Sequence, residues 1–277
     1  MQTRASELPV IELTDESFEK RKTGSYHFSV FTDEKTFSFS VLDVKANKYL
    51  ALCSGLSFRE TNERILQSGQ PHSFSMAVSG KPFTLVPNAL FDENKKTEFF
   101  KFNCETGKDE TVLYDRLRLL NAKNIYTVSN TLFDEAGKIF PGVRFFHGSS
   151  CFIEGLLYLN KNNDGKKAFA DFSDSTFILA VLDGKKLIYS NTFSFASPED
   201  VAYYILFVYE QLNMSPEKVE LVLSGSAEKD SNCFSLLYNY IRNVKFITLP
   251  DVFQYSYKFE EIQKHKYFSL FCQYLCG

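Results

Sequence analysis

The chain has 277 residues, 44% of them hydrophobic and 23% charged, which is ordinary globular composition for one large domain or two smaller ones. A net charge of −3 supplies no basic face for nucleic acid, and no apolar run reaches the 18 residues that a membrane span needs. The six cysteines are scattered without a CxxC pair, the first 24 residues show no apolar secretory core, and no metal-ligand spacing links the four histidines. A cytoplasmic protein with reduced thiols, no membrane insertion and no nucleic-acid partner is therefore expected.

Taken in chain order, Tyr26 to Phe31 alternates as a strand. A polar "DEK" turn leads to Phe37, Phe39 and Val41, which alternate with Ser38 and Ser40 and predict an antiparallel second strand. Residues 47–53 make a third. Ser57 with Glu60 three residues on is a capping box and starts a helix. The stretch 73–80, "SFSMAVSG", reads as a fourth strand.

The same order returns 140 residues later. Strands are predicted over 167–172, 176–182 and 186–192, then a helix opening "SPED", with Ser197 as N-cap and Pro198 at its first position. Val201, Ile205, Val208 and Leu212 fall on one helical face. A strand at 219–225, a helix at 229–241 and a late strand in "NVKFITLP" follow. Without gaps, 11 of the 31 residues from Thr36 to Leu66 are identical to those from Thr176 to Leu206. Such self-similarity over half the chain reads as one internal duplication. The polar "NKNNDGKK" (160–167) is the expected joint. The domains then run 1–159 and 160–277, with an inserted subdomain at about 82–122 in the first. The last apolar stretch, "EEIQKHKYFSLFCQYLCG", predicts a helix whose Ile262, Phe268, Leu270, Phe271 and Leu275 dock on the protein's own core, the alternative being a partner.

Three antiparallel strands, a helix and further parallel strands form the ribonuclease-H-like order. Two in tandem resemble the actin-like ATPase fold, an α/β architecture. The strings "FTLVPNALFDE" (83–93), "NTFSF…ED..YYILFVYEQL" (191–212) and "LSG…YNYIRNVKF" (223–246) resemble a family of uncharacterised Bacteroidetes proteins assigned that fold. More distantly, the chain is similar to cytosolic assembly components of pili and cell division.

An actin-like ATPase would need phosphate loops with an acid at the strand end and glycine beyond it, so that backbone N–H groups can approach the phosphates. Asp171-Phe172-Ser173-Asp174-Ser175-Thr176 resembles the second phosphate loop, Asp-x-Gly-x-x-Thr, with Ser173 in the glycine position. The repeat register sets Phe31 opposite Asp171, and the turn Thr32 to Thr36 contains no glycine. Ser224, Gly225 and Ser226 resemble an adenosine loop that lacks its second glycine. The candidate residues for a vestigial nucleotide site are thus Asp171, Ser173, Thr176, Ser224, Gly225 and Ser226; both turns also read as plain hairpin tips, where Asp, Ser and Thr bond the local backbone. No Gly-Lys pair is followed by Ser or Thr, so there is no P-loop. The sequence reading is of a cytosolic binding or assembly scaffold with degenerate nucleotide loops, no catalytic residues, no metal site, an unidentified protein partner and a possible homo-oligomeric state. ATP with magnesium is the cofactor of the rival reading, a working ATPase or phosphotransferase.

Overall fold

The computed structural model describes residues 10–69 and 71–277. The first sheet is built from β1 (Ile11–Thr14), β2 (Tyr26–Thr32), β3 (Phe37–Asp43), β4 (Lys48–Leu56) and β5 (Ser73–Val78), with α1 (Phe58–Ser68) between the last two. Next come β6 (Phe83–Pro87), α2 (Lys96–Asn103), β7 (Glu110–Leu117), β8 (Ala122–Ser129), α3 (Asn130–Ile139), β9 (Arg144–His147) and α4 (Gly148–Leu159). The remaining elements are β10 (Lys166–Phe172), β11 (Thr176–Asp183), β12 (Lys186–Ser194), α5 (Pro198–Gln211), β13 (Leu221–Gly225), α6 (Asn232–Tyr240), β14 (Val244–Phe246), β15 (Gln254–Tyr255) and α7 (Phe268–Cys272).

Among the described residues the strands form three sheets. The first has the order β1-β4-β3-β2-β5-β9 with β15 beside β4, the second β12-β11-β10-β13-β14, and the third β6-β8-β7. In both large sheets an antiparallel three-stranded meander meets a strand that runs parallel to its first member, β5 on β2 and β13 on β10. Local chemistry sets the matching helices. Ser57 and Ser197 each accept from the backbone N–H three residues on, while Glu60 and Asp200 reach back to the cap. Each box satisfies N–H groups that a helix start leaves orphaned.

Alternation along each strand separates two faces. Phe28, Val30, Phe39, Val41 and Met76 enter one core beneath α1 and α3. Leu179, Val181, Val201, Ile205 and Leu223 form its counterpart beneath α5 and α6. The two inner faces are closed by α4 and α7, which pack on each other. A Cβ on Gly155 would lie 2.5 Å from Cys272 Sγ, so only glycine admits this approach.

The chain end differs from its sequence expectation. It is not one helix but a single α-turn segment, α7, between 3-10 turns at Lys264–Tyr267 and Gln273–Cys276. Tyr, Phe and Cys are mediocre helix formers, and tertiary bonds anchor each turn. Tyr267 and Ser54 hydroxyls meet at 2.8 Å, His265 Nε2 lies 2.9 Å from the Ala227 carbonyl, and Gln273 Nε2 donates to Ser75 Oγ at 2.7 Å. Burial in the protein's own core is as expected, with Phe268 and Phe271 fully enclosed. Strand pairing in "NVKFITLP" stops after Phe246.

Candidate functional site

The inner faces differ in chemistry. That of the second sheet is apolar, with Phe169, Ala180, Leu182 and Val222 against Phe152, Ile153 and Leu156 of α4. Part of the first sheet's inner face is hydroxylic. His27 contacts Ser73 and Ser75 hydroxyls at 2.7 and 2.9 Å, and the Ser29 and Ser40 hydroxyls are buried. Burial holds the His27 imidazole neutral, with its pKa down to about 4.

A cavity of about 130 Å³ lies where the two large sheets meet. The candidate residues Asp171, Ser173, Thr176, Gly225 and Ser226 all line it, together with Phe31, Ser79 to Lys81, Gly148, Lys266, Tyr267, Ser269 and Leu270. Ser224 is tied to the cavity through Asp171. Its hydroxyl donates to Asp171 Oδ1 at 2.7 Å, and the Ser269 hydroxyl, from α7, donates to Oδ2 at 3.0 Å. Asp171 keeps some exposure to the cavity but is otherwise enclosed by protein. Burial raises its pKa, and the two hydroxyl donors oppose that rise.

The hairpin tips are bound to themselves. The Ser173 N–H donates to the Thr176 carbonyl at 2.8 Å, and Ser226 closes over the turn through its N–H to Phe172 O and its hydroxyl to Ser173 O. Gly225 has φ +69°, and a Cβ there would sit 2.7 Å from Phe172 N and closer still to Phe172 O, so the turn requires glycine. In the first half, Asp33 Oδ1 accepts the Lys35 and Thr36 N–H groups. Glu34 accepts the Ser129 N–H and lies 3.6 Å from Lys81. Phe31, opposite Asp171 in the repeat register, contributes a phenyl ring to the cavity wall; a Cβ on Gly148 would come within 3.1 Å of it.

Both cations at the cavity have carboxylate partners. Lys81 Nζ is 2.6 Å from Glu110, and Lys266 Nζ is 2.7 Å from Glu228. Sequence reading missed Ser269, Lys81 and Lys266. The available signal for Ser269 was a polar pair, Ser269 and Gln273, spaced i, i+4 inside an apolar run.

A second polar centre lies beneath the small sheet. Asp115 accepts from the Tyr126 hydroxyl at 3.0 Å, the His147 N–H at 2.8 Å and the Ser150 hydroxyl at 2.5 Å. Asn124 binds the Ser149 and Ser150 hydroxyls, and His147 Nε2 lies 3.1 Å from the Lys81 carbonyl. Burial pushes Asp115 up to about 7, against the pull of its three donors, and pushes His147 down to about 3. The cluster fixes the small sheet to the start of α4. Among the described residues no group of His, Cys, Asp and Glu side chains could hold a metal ion, and no helix is long and apolar enough to cross a membrane.

Paired meander sheets, a cleft between them and two helices crossing behind it define the actin-like ATPase fold. A protein with this fold and unknown function from Bacteroides thetaiotaomicron VPI-5482 superposes with a TM-score of 0.74 at 22% identity, covering 83% of this chain and 93% of that one. The PilM–PilN type IV pilus biogenesis complex contains a chain that matches with a TM-score of 0.55 at 13% identity, over 90% of this chain and 96% of that one. The protein belongs to the family described as "Protein of unknown function (DUF3822)", whose model matches residues 15–244. No curated protein matches the sequence.

Proposed function

We propose that this protein is a binding and assembly scaffold of actin-like fold that does not turn over nucleotide. The observation that carries the reading is the Ser224–Asp171–Ser269 arrangement, in which both carboxylate oxygens take protein hydroxyls. Two of the four lone-pair sites of the carboxylate are thereby taken by protein donors, which tie it to the neighbouring strand and to the chain end. The rest of the cavity agrees. Ligand pockets commonly enclose roughly 300–1,000 Å³, and this one encloses about 130 Å³. The Phe31 ring and two lysines already paired to carboxylates complete the wall. ATP with magnesium does not fit these residues as they stand.

Under this reading the fold is kept for its surfaces, the partner is another protein, and the setting is a reducing cytosol. A related fold occurs in a protein complex of pilus biogenesis, which is compatible with such a role. Isothermal titration of the full chain with ATP and magnesium tests the proposal. No binding heat is expected. Micromolar binding that disappears in Asp171→Ala would overturn it in favour of a working nucleotide site.

A further inference from the structure

Three of the six cysteines, Cys151, Cys272 and Cys276, are buried where α4 meets the chain end. There α4 packs on α7 and on the 3-10 turn at Gln273–Cys276. The two segments run past each other in opposite directions. Gly155 of α4 faces Cys272, and one turn earlier in α4 Cys151 faces Cys276. The Cys151 and Cys276 thiols are hydrogen-bond partners. Both side chains enter one small buried cluster with Ala77 and Phe146.

Gly155 sets the spacing of this crossing. Packed helices ordinarily keep their axes about 8–10 Å apart. Here a Cβ on Gly155 would already collide with Cys272 Sγ at 2.5 Å, so the backbones approach more closely than side chains usually permit. A disulfide needs Cα atoms about 4.4–6.8 Å apart and Cβ atoms about 3.5–4.5 Å apart. A close crossing brings the neighbouring Cys151–Cys276 rung towards that range. The other pairings are poorer. Cys272 and Cys276 stand four residues apart on one segment, where Cβ atoms are separated by about 5–6 Å. Cys53 lies in the core beneath α1, Cys104 at the end of α2 and Cys233 on α6.

We propose that Cys151 and Cys276 form a redox pair, which a small-molecule disulfide converts to an intramolecular disulfide fastening the chain end to α4. The exchange has two steps. The Cys276 thiolate attacks the small disulfide, forms a mixed disulfide and expels one small thiolate. The Cys151 thiolate then displaces the second. Two protein thiols are oxidised, one small disulfide is reduced to two thiols, and the two protein protons end on the leaving groups. Burial keeps both protein thiols protonated in the closed structure, so the reaction passes through opening of the short 3-10 turn and is slow. The product bears on the cavity. Ser269, on the same segment as Cys276, donates to Asp171, and Gly148 at the start of α4 lines the cavity wall. The disulfide ties these two parts of the wall together. In reducing surroundings the pair stays as thiols, and noncovalent contacts alone hold the chain end. The inference is independent of the nucleotide reading.

The test is incubation of the folded full chain with excess oxidised glutathione, alkylation in denaturant, and peptide mapping by mass spectrometry. Two of the six thiols are expected to become resistant to alkylation, with the Cys151 and Cys276 peptides linked and no glutathione left on the protein. A cross-link spanning so much chain restricts the unfolded state, so the oxidised form should melt about 5–10 °C above the reduced one. Dithiothreitol should reverse the shift, and Cys276→Ser should abolish it. Mapping of the wild-type chain decides the pairing whatever the stability of the variant. Six free thiols after prolonged incubation overturn the inference. So does a link between any other pair, a linked chain that melts no higher than the reduced one, or a shift that survives in Cys276→Ser.

Discussion

Ser269, near the end of the chain, donates its hydroxyl to Asp171 Oδ2 at 3.0 Å, across 98 residues of sequence. The bond joins the last helix to the hairpin strand of the second sheet at the cavity wall. It makes a residue that sequence reading marks as phosphate-facing part of the contact between the chain end and the core.

Removing that bond has a definite cost. Ser269→Ala leaves an enclosed carboxylate one donor short, and destabilisation by about 1–3 kcal/mol is expected. Urea denaturation measures it. A change within a few tenths of a kcal/mol would mean that water replaces the hydroxyl and that Asp171 is free to serve a ligand.

Gly225 and Gly80 both have positive φ, +69° and +74°. A side chain at Gly80 meets open space, so Gly80→Ala should cost only backbone strain, about 1–2 kcal/mol. Gly225→Ala adds a collision with the backbone of Phe172 and should cost several kcal/mol more. Melting temperatures of the two variants under one buffer distinguish the cases.

Asp115 and His147 give stability a pH dependence with opposite signs. The Asp115 pKa is raised from 3.8 to about 7, so its contribution is full below pH 3.8 and is lost as pH rises through 7. His147 is lowered from 6.5 to about 3, so its contribution is full above 6.5 and is lost as pH falls through 3. The slopes oppose each other at mildly acidic pH, and towards neutrality only that of Asp115 remains. The whole Asp115 effect amounts to about 4 kcal/mol. Asp115→Asn should flatten the decline of stability between pH 5 and pH 8, whatever its absolute stability. Urea midpoints measured at intervals over that range read the slope, and an unchanged slope would place the titration elsewhere.

Ser57 and Ser197 hold corresponding caps in the two halves. Each change to Ala should cost about 1 kcal/mol. Because the two sites share no partner, the double variant should show the sum within about 0.5 kcal/mol. Chemical denaturation of the three variants checks both numbers.

Much of the fold was legible in sequence because its signals are local. Val201, Ile205 and Val208 lie on one helical face and are buried together. Phe37, Phe39 and Val41 alternate and share a core. The chain end was legible only in part. Its apolar residues announced burial, but its geometry is set by Ser54, Ser75 and Ala227, none of them near it in sequence. The six candidate residues gather at the cavity and its rim, yet no spacing along the chain tells how large that cavity is.

The sequence by itself determined the β-β-β-α-β order that opens each half, the helix N-caps at Ser57 and Ser197 and the substitution of Ser173 for a loop glycine, because each depends on residues within a few positions of one another. Only the tertiary structure decided what surrounds Asp171. Cavity volume, the donation from Ser269, the Phe31 ring opposite and the pairing of Lys81 and Lys266 come from segments far apart in the chain. Close packing of the two inner faces around α4 and α7 brings them together, and that packing leaves about 130 Å³.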